Sequence, residues 1–104
     1  MAEFHHVGVP VDEPQPGETY LEGAKVHITD ASSHPYRFEY LRFEADSPLP
    51  ERMQKNSHVA YVVDDLDAAL EGESVLLEPF EPMDGLRCAF IVKDGVVLEL
   101  MQNL

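Results

Sequence analysis

HHVGVPVD, residues His5–Asp12, and SHVAYVVDD, residues Ser57–Asp65, begin the two halves of this sequence in the same way. Aligned on His6 and His58, they share the pattern His-Val-[Gly/Ala]-x-x-Val-Asp. Both stretches are rich in β-branched residues, so each predicts a β-strand that opens with a histidine. Self-similarity of this kind indicates an internal duplication, and we therefore expect two related modules.

A second echo closes each half. RFEYLR at 37–42 and VLELMQ at 97–102 share the order apolar-Glu-apolar-apolar, which aligns Glu39 with Glu99. Glu99 lies in an otherwise apolar run, where a buried carboxylate needs a partner charge or a cation. Side chains alternate along a strand, so a pseudo-symmetric pairing of the halves can point both histidines and both glutamates into one cavity. Two imidazoles and two carboxylates form an N/O ligand set for a divalent metal ion.

The second half predicts a strand, a helix and three further strands. DDLDAALEG at 64–72 predicts a short helix with an aspartate as N-cap and a glycine as its end. SVLL at 74–77 predicts a short strand, whereas EPFEPMDG at 78–85 contains two prolines and predicts a loop. The dipeptide Asp-Gly at 94–95 predicts the hairpin turn between the last two strands.

The first half differs from the second because it lacks a helix. DEPQPGE at 12–18 contains two prolines, and each removes a backbone donor and clashes with a preceding helical turn. Strands are predicted only at 4–9, 24–29 and 36–44, so this half is one strand short.

The remaining histidines and the cysteine are weaker candidates for a functional site. His5 is predicted on the face of the first strand opposite His6. His27 lies on a strand and is a candidate for lining the cavity, while His34 precedes a proline in a loop that we expect to be solvated. Cys88 shares its strand face with apolar residues, so we expect a core thiol rather than a nucleophile.

Composition narrows the classes of function. Twenty acidic and seven basic residues give a net charge of −13, which disfavours nucleic acids and anionic membranes as partners. The sequence contains no apolar run long enough to predict a membrane span. A single cysteine in a chain without a recognisable signal peptide indicates a reducing compartment, so we expect a cytoplasmic protein. Exposed strand edges would allow a homodimer.

Three segments resemble the vicinal oxygen chelate superfamily, most of all its methylmalonyl-CoA epimerase and glyoxalase I-like branch. They are HHVGVPV, YRFEYLRFEADSPLPERMQKNSHVAYVVDDLDAAL and EPMDGLRCAFIVKDGVVLELMQ. The superfamily also includes extradiol dioxygenases and bleomycin-resistance proteins. The resemblance implies a cup around one divalent ion, such as Zn, Ni, Co, Mn or Fe. It implies as metal ligands the same four residues that the repeats align, His6, Glu39, His58 and Glu99.

With this resemblance, the expected architecture is a single α+β domain over residues 1–104. Two βαβββ-type modules form one cup-shaped mixed sheet. The first module covers about 1–46 and lacks its helix, a linker helix covers about 47–56, and the second module covers about 57–104. In the linker helix, Ser47 is the predicted N-cap, with a proline at the first helical position.

The resemblance also implies a chemistry. In the isomerases of the superfamily, the ion chelates two neighbouring substrate oxygens while a carboxylate moves the proton, and Glu99 is similar to that carboxylate. The leading hypothesis is therefore a small metal-dependent isomerase or lyase that acts next to a carbonyl of a small molecule. No glutamate at 24–29 matches the second base of epimerases, so a one-base reaction is expected. The alternatives are a binding or sequestering protein without catalysis and a remnant with a structural metal.

The charge of the substrate depends on the surroundings of the cup. An anionic acyl-CoA thioester would require a local basic patch in a chain of net charge −13. The residues available for such a patch are Lys25, Arg37, Arg42 and Arg87.

Overall fold

Eight strands form one curled sheet in the computed structural model, which describes residues 2–104. Met1, which the predicted domain includes, lies outside the described residues. The strands are β1 (Glu3–Pro10), β2 (Thr19–Leu21), β3 (Val26–Ile28), β4 (Phe38–Phe43), β5 (His58–Val62), β6 (Ser74–Met83), β7 (Leu86–Lys93) and β8 (Val96–Asn103). The helices are α1 (Glu51–Lys55) and α2 (Leu66–Leu70), and 3-10 turns cover Glu22–Ala24 and Ala31–Ser33. The predicted α+β class is confirmed as a cup-shaped mixed sheet with few helices.

The strands lie in the order β2-β3-β4-β1-β5-β8-β7-β6. The middle pair, β1 and β5, is antiparallel. Each of these two strands has a parallel neighbour on its other side, β4 beside β1 and β8 beside β5. The outer pairs are antiparallel. The four central strands are therefore the ones that carry the four predicted metal ligands.

Apolar side chains cover both faces of β7 and β8. On the outer face, Leu66 of α2 is fully buried in a cluster with Ala89 and Ile91. Helix α2 is fixed by its predicted aspartate cap, since the side chain of Asp65 accepts a hydrogen bond from the backbone N–H of Ala68. On the inner face, a second cluster forms the floor of the cup; its buried members are Met53, Ala60, Cys88, Phe90, Val97 and Met101.

The loop predicted at 78–85 is largely strand, because β6 continues through it to Met83. Strand β6 is the last strand of the sheet, so its prolines, Pro79 and Pro82, can lie where no neighbour requires an N–H donor. Its pairing with β7 shifts register three times, which is how an irregular edge strand accommodates such residues. The local proline signal was therefore overruled by the position of the strand in the sheet.

The first half contains a strand that the sequence did not predict. Strand β2, only three residues long, pairs antiparallel with β3 and ends the sheet on that side. Three residues are too few for an alternating pattern to be recognised. Residues 11–18 contain no helix.

None of the helices within residues 2–104 has the length and apolar character that crossing a membrane requires.

The linker helix begins later than predicted. Its N-cap is Pro50, while Ser47 donates its hydroxyl hydrogen to the carbonyl of Ala24 at 2.6 Å. A proline disfavours helical backbone angles in the residue before it, so the helix cannot begin ahead of Pro50. The prediction of Ser47 as N-cap is therefore wrong, although α1 itself lies inside the predicted range 47–56.

Candidate metal centre

Two rows of register partners cross the four central strands. Each row consists of a carboxylate, a small residue and an imidazole on three neighbouring strands. The rows are Glu39–Gly8–His58 and Glu99–Ala60–His6. Because side chains alternate along strands, residues two apart share a face, so the rows lie side by side on the same face of the sheet. The small residue in each row leaves room for the neighbouring imidazole.

The polar atoms of the four predicted ligands converge. Nε2 of His6 lies 3.3 Å from Oε1 of Glu99 and 3.6 Å from Oε1 of Glu39. Nε2 of His58 lies 3.2 Å from the same Glu99 oxygen. One ligand atom each from His6, Glu39 and His58 lies within 4.8 Å of the others. The structure thus brings His6, Glu39 and His58 into one group and places Glu99 against both histidines.

The three shortest of these separations are close to those of neighbouring ligand atoms around a single ion. Bonds of about 2.0–2.2 Å to nitrogen and oxygen place neighbouring ligand atoms roughly 2.9–3.5 Å apart in octahedral or tetrahedral coordination. The separations of 3.2, 3.3 and 3.6 Å lie within or just above that range. The two histidines are each 2% exposed and Glu99 is 8% exposed, so bulk water has little access to the cluster.

His6 carries a buried nitrogen without a hydrogen-bond partner. Its Nε2 makes no hydrogen bond within the described part of the chain, although two carboxylate oxygens lie close by. Its Nδ1 lies 2.8 Å from Nδ1 of His5, so one of the two rings donates to the other. When His6 is the donor, its Nε2 lone pair faces the carboxylates, which is unfavourable unless a cation lies between them. An unpaired buried polar group costs about 1–3 kcal/mol, and a bound metal ion would remove that cost.

His5 lies beside this cluster, contrary to the prediction that it faces away. The register of β1 against β5 shifts between Phe4 and His6, so His5 is the extra residue of a β-bulge and alternation fails there. The ring of His5 lines the cup, 5.1 Å from the ring of His6. Burial, followed by the charges of His6 and Arg37, lowers the pKa of His5, which keeps its ring neutral at pH 7. The sequence signal that could have indicated a second histidine at the cluster is the doubled histidine in HHVG.

The two carboxylates differ in their affinity for a proton. Burial raises the pKa of Glu39 to about 7, and the negative charge of Glu99 acts in the same direction while His6 opposes it. Burial also acts to raise the pKa of Glu99, but contacts with His58 and His6 outweigh it and lower the pKa to about 2. Without a metal ion, Glu99 is therefore ionised at neutral pH, whereas Glu39 is divided between its two protonation states.

A cavity of about 620 Å³ lies in front of the cluster, a volume within the usual range for small-molecule sites. His6, Glu39 and Glu99 line it, whereas His58 lies behind them and packs its ring 5.1 Å from that of Phe90. Residues from β2 and β3 contribute one wall, and the hairpin of β6 and β7 contributes another. A small molecule can therefore reach the cluster through this cavity, whose lining is mainly apolar.

The other candidate residues lie outside the cluster or in the core. His27 does not line the cavity; its Nδ1 approaches a carboxylate oxygen of Glu18 at 3.8 Å. His34, which we expected to be solvated, is half-buried and stacks on Phe38 with ring centroids 4.7 Å apart. Cys88 is 1% exposed, and burial raises the pKa of its thiol, as expected for a protonated core cysteine.

Replacing Gly8 by alanine is expected to destabilise the protein by about 1–3 kcal/mol, the usual cost of overpacking a tightly packed site. A Cβ atom at Gly8 would overlap the imidazole ring of His58, which must then move away from Glu99. Urea unfolding monitored by circular dichroism measures the change. Gly23→Ala is the matched control, because a Cβ atom there meets nothing within 4 Å. Equal stability of the two variants would contradict the close packing at Gly8.

Comparison with known proteins shows the fold and nothing more. No protein-family model matches the chain, and no curated protein matches it either. Among solved structures, the chain is similar to hypothetical protein BH1468 from Bacillus halodurans C-125, with a TM-score of 0.72 and 17% sequence identity. The match covers 99% of this chain and 95% of that one. At this identity, the likeness extends to the whole cup-shaped architecture and carries no statement about activity.

Proposed function

We propose that the chain binds one divalent metal ion through four side chains and uses it to promote proton transfer next to a carbonyl of a small molecule. The proposed ligands are His6, Glu39, His58 and Glu99. The observation that carries the proposal is the unpartnered, buried Nε2 of His6, which faces carboxylate oxygens of Glu39 and Glu99 while His58 contacts Glu99. Zn, Ni, Co, Mn and Fe(II) all accept imidazole and carboxylate ligands.

We further propose that the chain is a two-module member of the vicinal oxygen chelate superfamily. The strand pairing supports this, because β1-β4-β3-β2 and β5-β8-β7-β6 follow one another with the same sequence of parallel and antiparallel neighbours. Helix α2 lies between β5 and β6, whereas the corresponding residues 11–18 contain no helix. The two rows also match each other, since each consists of a carboxylate, a small residue and an imidazole. A duplication would leave such a match.

The proposed roles of the residues follow from their positions. When bound, the ion would supply Lewis-acid stabilisation of negative charge on an oxygen next to the reacting carbon. His6 and His58 hold one side of the cluster, and Glu39 holds the other. Glu99 is the proposed proton acceptor, because it lines the cavity, is ionised at neutral pH in the metal-free protein, and is similar in position to the carboxylate that moves the proton in the isomerases that the sequence resembles. The apolar walls would limit the access of water to the reacting atoms once a ligand fills the cavity.

Two measurements test the proposal directly. Elemental analysis of protein purified without a metal-affinity column should find about one equivalent of a divalent metal, as one four-ligand site requires. Deuterium exchange from solvent should then be followed in 2-oxo acids, their neutral esters, hemithioacetals and acyl thioesters. Exchange that requires the metal supports the proposed chemistry, and exchange that persists after chelation contradicts it.

Metal affinity is expected to fall by about tenfold per pH unit below pH 7. Burial holds the pKa of Glu39 near 7, above its ordinary value of 4.5, so a metal ion must displace the Glu39 proton at lower pH. The same shift makes the metal-free protein lose stability as pH rises from about 4.5 to about 7, because its folded state holds this proton more tightly than the unfolded chain. Competition with a chromophoric chelator at pH 6, 7 and 8 measures the affinity. Glu39→Gln should show a slope shallower by one proton; an unchanged slope would exclude Glu39 as the source.

A second candidate function is binding of a small molecule without catalysis. The observation that favours it is the wall beside β3, where Val26 and Ile28 line the cavity and no carboxylate stands at 24–29 to serve as a second base. Metal-dependent binding of a ligand without proton exchange in any compound of the panel would support this function instead.

A further inference from the structure

The basic residues of the chain do not surround the cup. Lys25, Arg42 and Arg87, which the sequence offered for a basic patch, each form an ion pair with a carboxylate outside the cavity. Arg37, the fourth, donates to the backbone carbonyl of His5 and does not line the cavity, although its charge is close enough to lower the pKa of His5 and of Asp30. The other lysine and arginine residues also contact a carboxylate or a backbone carbonyl. Among the residues that line the cavity within the described chain there is no lysine and no arginine.

The charged groups that do line the cavity are all acidic. Glu39 and Glu99 stand at the cluster, and Asp30 and Asp84 are exposed at its edges. Asp30 accepts hydrogen bonds from the backbone N–H and the hydroxyl of Ser32, which favour its ionised form. A divalent ion would neutralise the two glutamates but leave both aspartates. The cup therefore stays negative after metal loading, inside a chain of net charge −13.

Most of the remaining lining is apolar. Leu41 and Phe90 lie beside the cluster, and Leu21, Phe80 and Leu86 extend the surface outward. An anionic group on a ligand would lose its hydration there and find no lysine or arginine among the lining residues to compensate, while the aspartates would repel it. An uncharged or cationic apolar group meets neither penalty.

We infer that the cup selects an apolar small molecule that carries no anionic group apart from the atoms that contact the metal. This inference rests on the proposed function for the orientation of the ligand, with its oxygens at the cluster and its apolar part against the walls. Acyl-CoA thioesters and other phosphorylated substrates are therefore disfavoured. It favours uncharged carbonyl compounds, and cationic ones still more, because the field at the mouth attracts them.

The charge preference can be tested without any metal. N-phenyl-1-naphthylamine and 8-anilinonaphthalene-1-sulfonate share a ring system and differ in the sulfonate, and both fluoresce on entering apolar sites. The neutral dye should bind the metal-free protein at least about tenfold more tightly than the anionic dye, since one repelled and desolvated charge costs on the order of 1.4 kcal/mol or more. Equal or tighter binding of the sulfonate, or no binding of the neutral dye, would overturn the inference.

Charge reversal separates the field of the cup from the hydration of the sulfonate. Asp84→Lys places a cation at the cavity edge and should reduce the ratio of the two affinities at least about threefold. Glu78→Lys is the matched control, because Glu78 is exposed on β6, does not line the cavity and gives the same change in net charge. If both variants change the ratio equally, the preference comes from overall charge and the assignment to the cup is wrong.

The metal-loaded protein provides the last arm. Benzohydroxamic acid and its 4-carboxy and 4-aminomethyl derivatives share one chelating head, so the Zn²⁺ contact cancels in their ratios. Calorimetric titration should give the highest affinity for the aminomethyl compound, a lower one for the unsubstituted compound and the lowest for the carboxy compound. The carboxy compound should bind about tenfold more weakly than the unsubstituted one. If none of the three compounds shows binding that depends on Zn²⁺, the proposed metal site is contradicted and the dye result still stands. A reversed ranking would contradict the charge preference while leaving the metal site intact.

Discussion

Replacing His6 by alanine is expected to lower the affinity for Zn²⁺ by roughly 100- to 1,000-fold. Structural zinc sites with four ligands bind with about 10–16 kcal/mol, so each ligand contributes about 2.5–4 kcal/mol. His6 is the ligand to remove first, because its Nε2 makes no hydrogen bond in the metal-free protein; the substitution also removes the contact of its Nδ1 with His5. Competition with a chromophoric chelator gives the affinity, and thermal unfolding with and without Zn²⁺ gives the stabilisation by the ion.

The matched control is His27→Ala. His27 is another histidine on a strand of the same sheet, half-buried where His6 is buried, and it lies outside the cavity beside Glu18. Its removal should leave Zn²⁺ affinity within about threefold of the wild type, since it contacts none of the proposed ligands. If His6→Ala folds, by its circular dichroism, and still binds Zn²⁺ as tightly as the control, then the cluster is not a metal site. A loss of equal size in both variants would point to general destabilisation instead.

The cluster could be predicted because it depends on a short repeat and on the period of a strand. Alignment of His6 with His58 and of Glu39 with Glu99 needs only the sequence, and alternation then places each pair on one face. What the repeat did not reveal is the purpose of its third position. Gly8 and Ala60 stand between a carboxylate and an imidazole in the two rows, and only the cross-strand register exposes that role.

The features that the sequence missed depend on contacts between distant segments. The bulge that turns His5 into the cup arises from the pairing of β1 with β5, and no local periodicity encodes it. Strand β6 accepts two prolines because it lies at the edge of the sheet, which is a property of the whole topology. The seven basic residues could be counted from the sequence, but their ion pairs away from the cavity could not. The inferred preference for ligands without an anionic group depends on this placement of the basic residues away from the cavity.

Replacing Glu99 by glutamine is expected to reduce metal-dependent deuterium exchange into a carbonyl substrate by about 10²- to 10⁴-fold, the usual contribution of a positioned general base. The amide keeps the size of the side chain and an oxygen that can face the metal, but it cannot accept a proton. Metal affinity should fall as well, because an amide oxygen is a weaker ligand than a carboxylate. Exchange must therefore be measured at saturating Zn²⁺, with bound metal verified by elemental analysis after rapid desalting.

Glu39→Gln is the matched variant, because it also removes one negative charge from the cluster and keeps the shape of the side chain. Glu39 and Glu99 occupy equivalent places in their rows, so the two variants leave the ion with the same charge and the same number of oxygen ligands. If Glu99 moves the proton, Glu39→Gln at saturating Zn²⁺ should retain most of the exchange while Glu99→Gln loses it. If Glu39→Gln is the variant that loses exchange, the base lies on β4 and the proposed assignment is reversed. If both lose it equally, the cluster needs both charges to hold the ion in a reactive state, and neither carboxylate acts alone as the base.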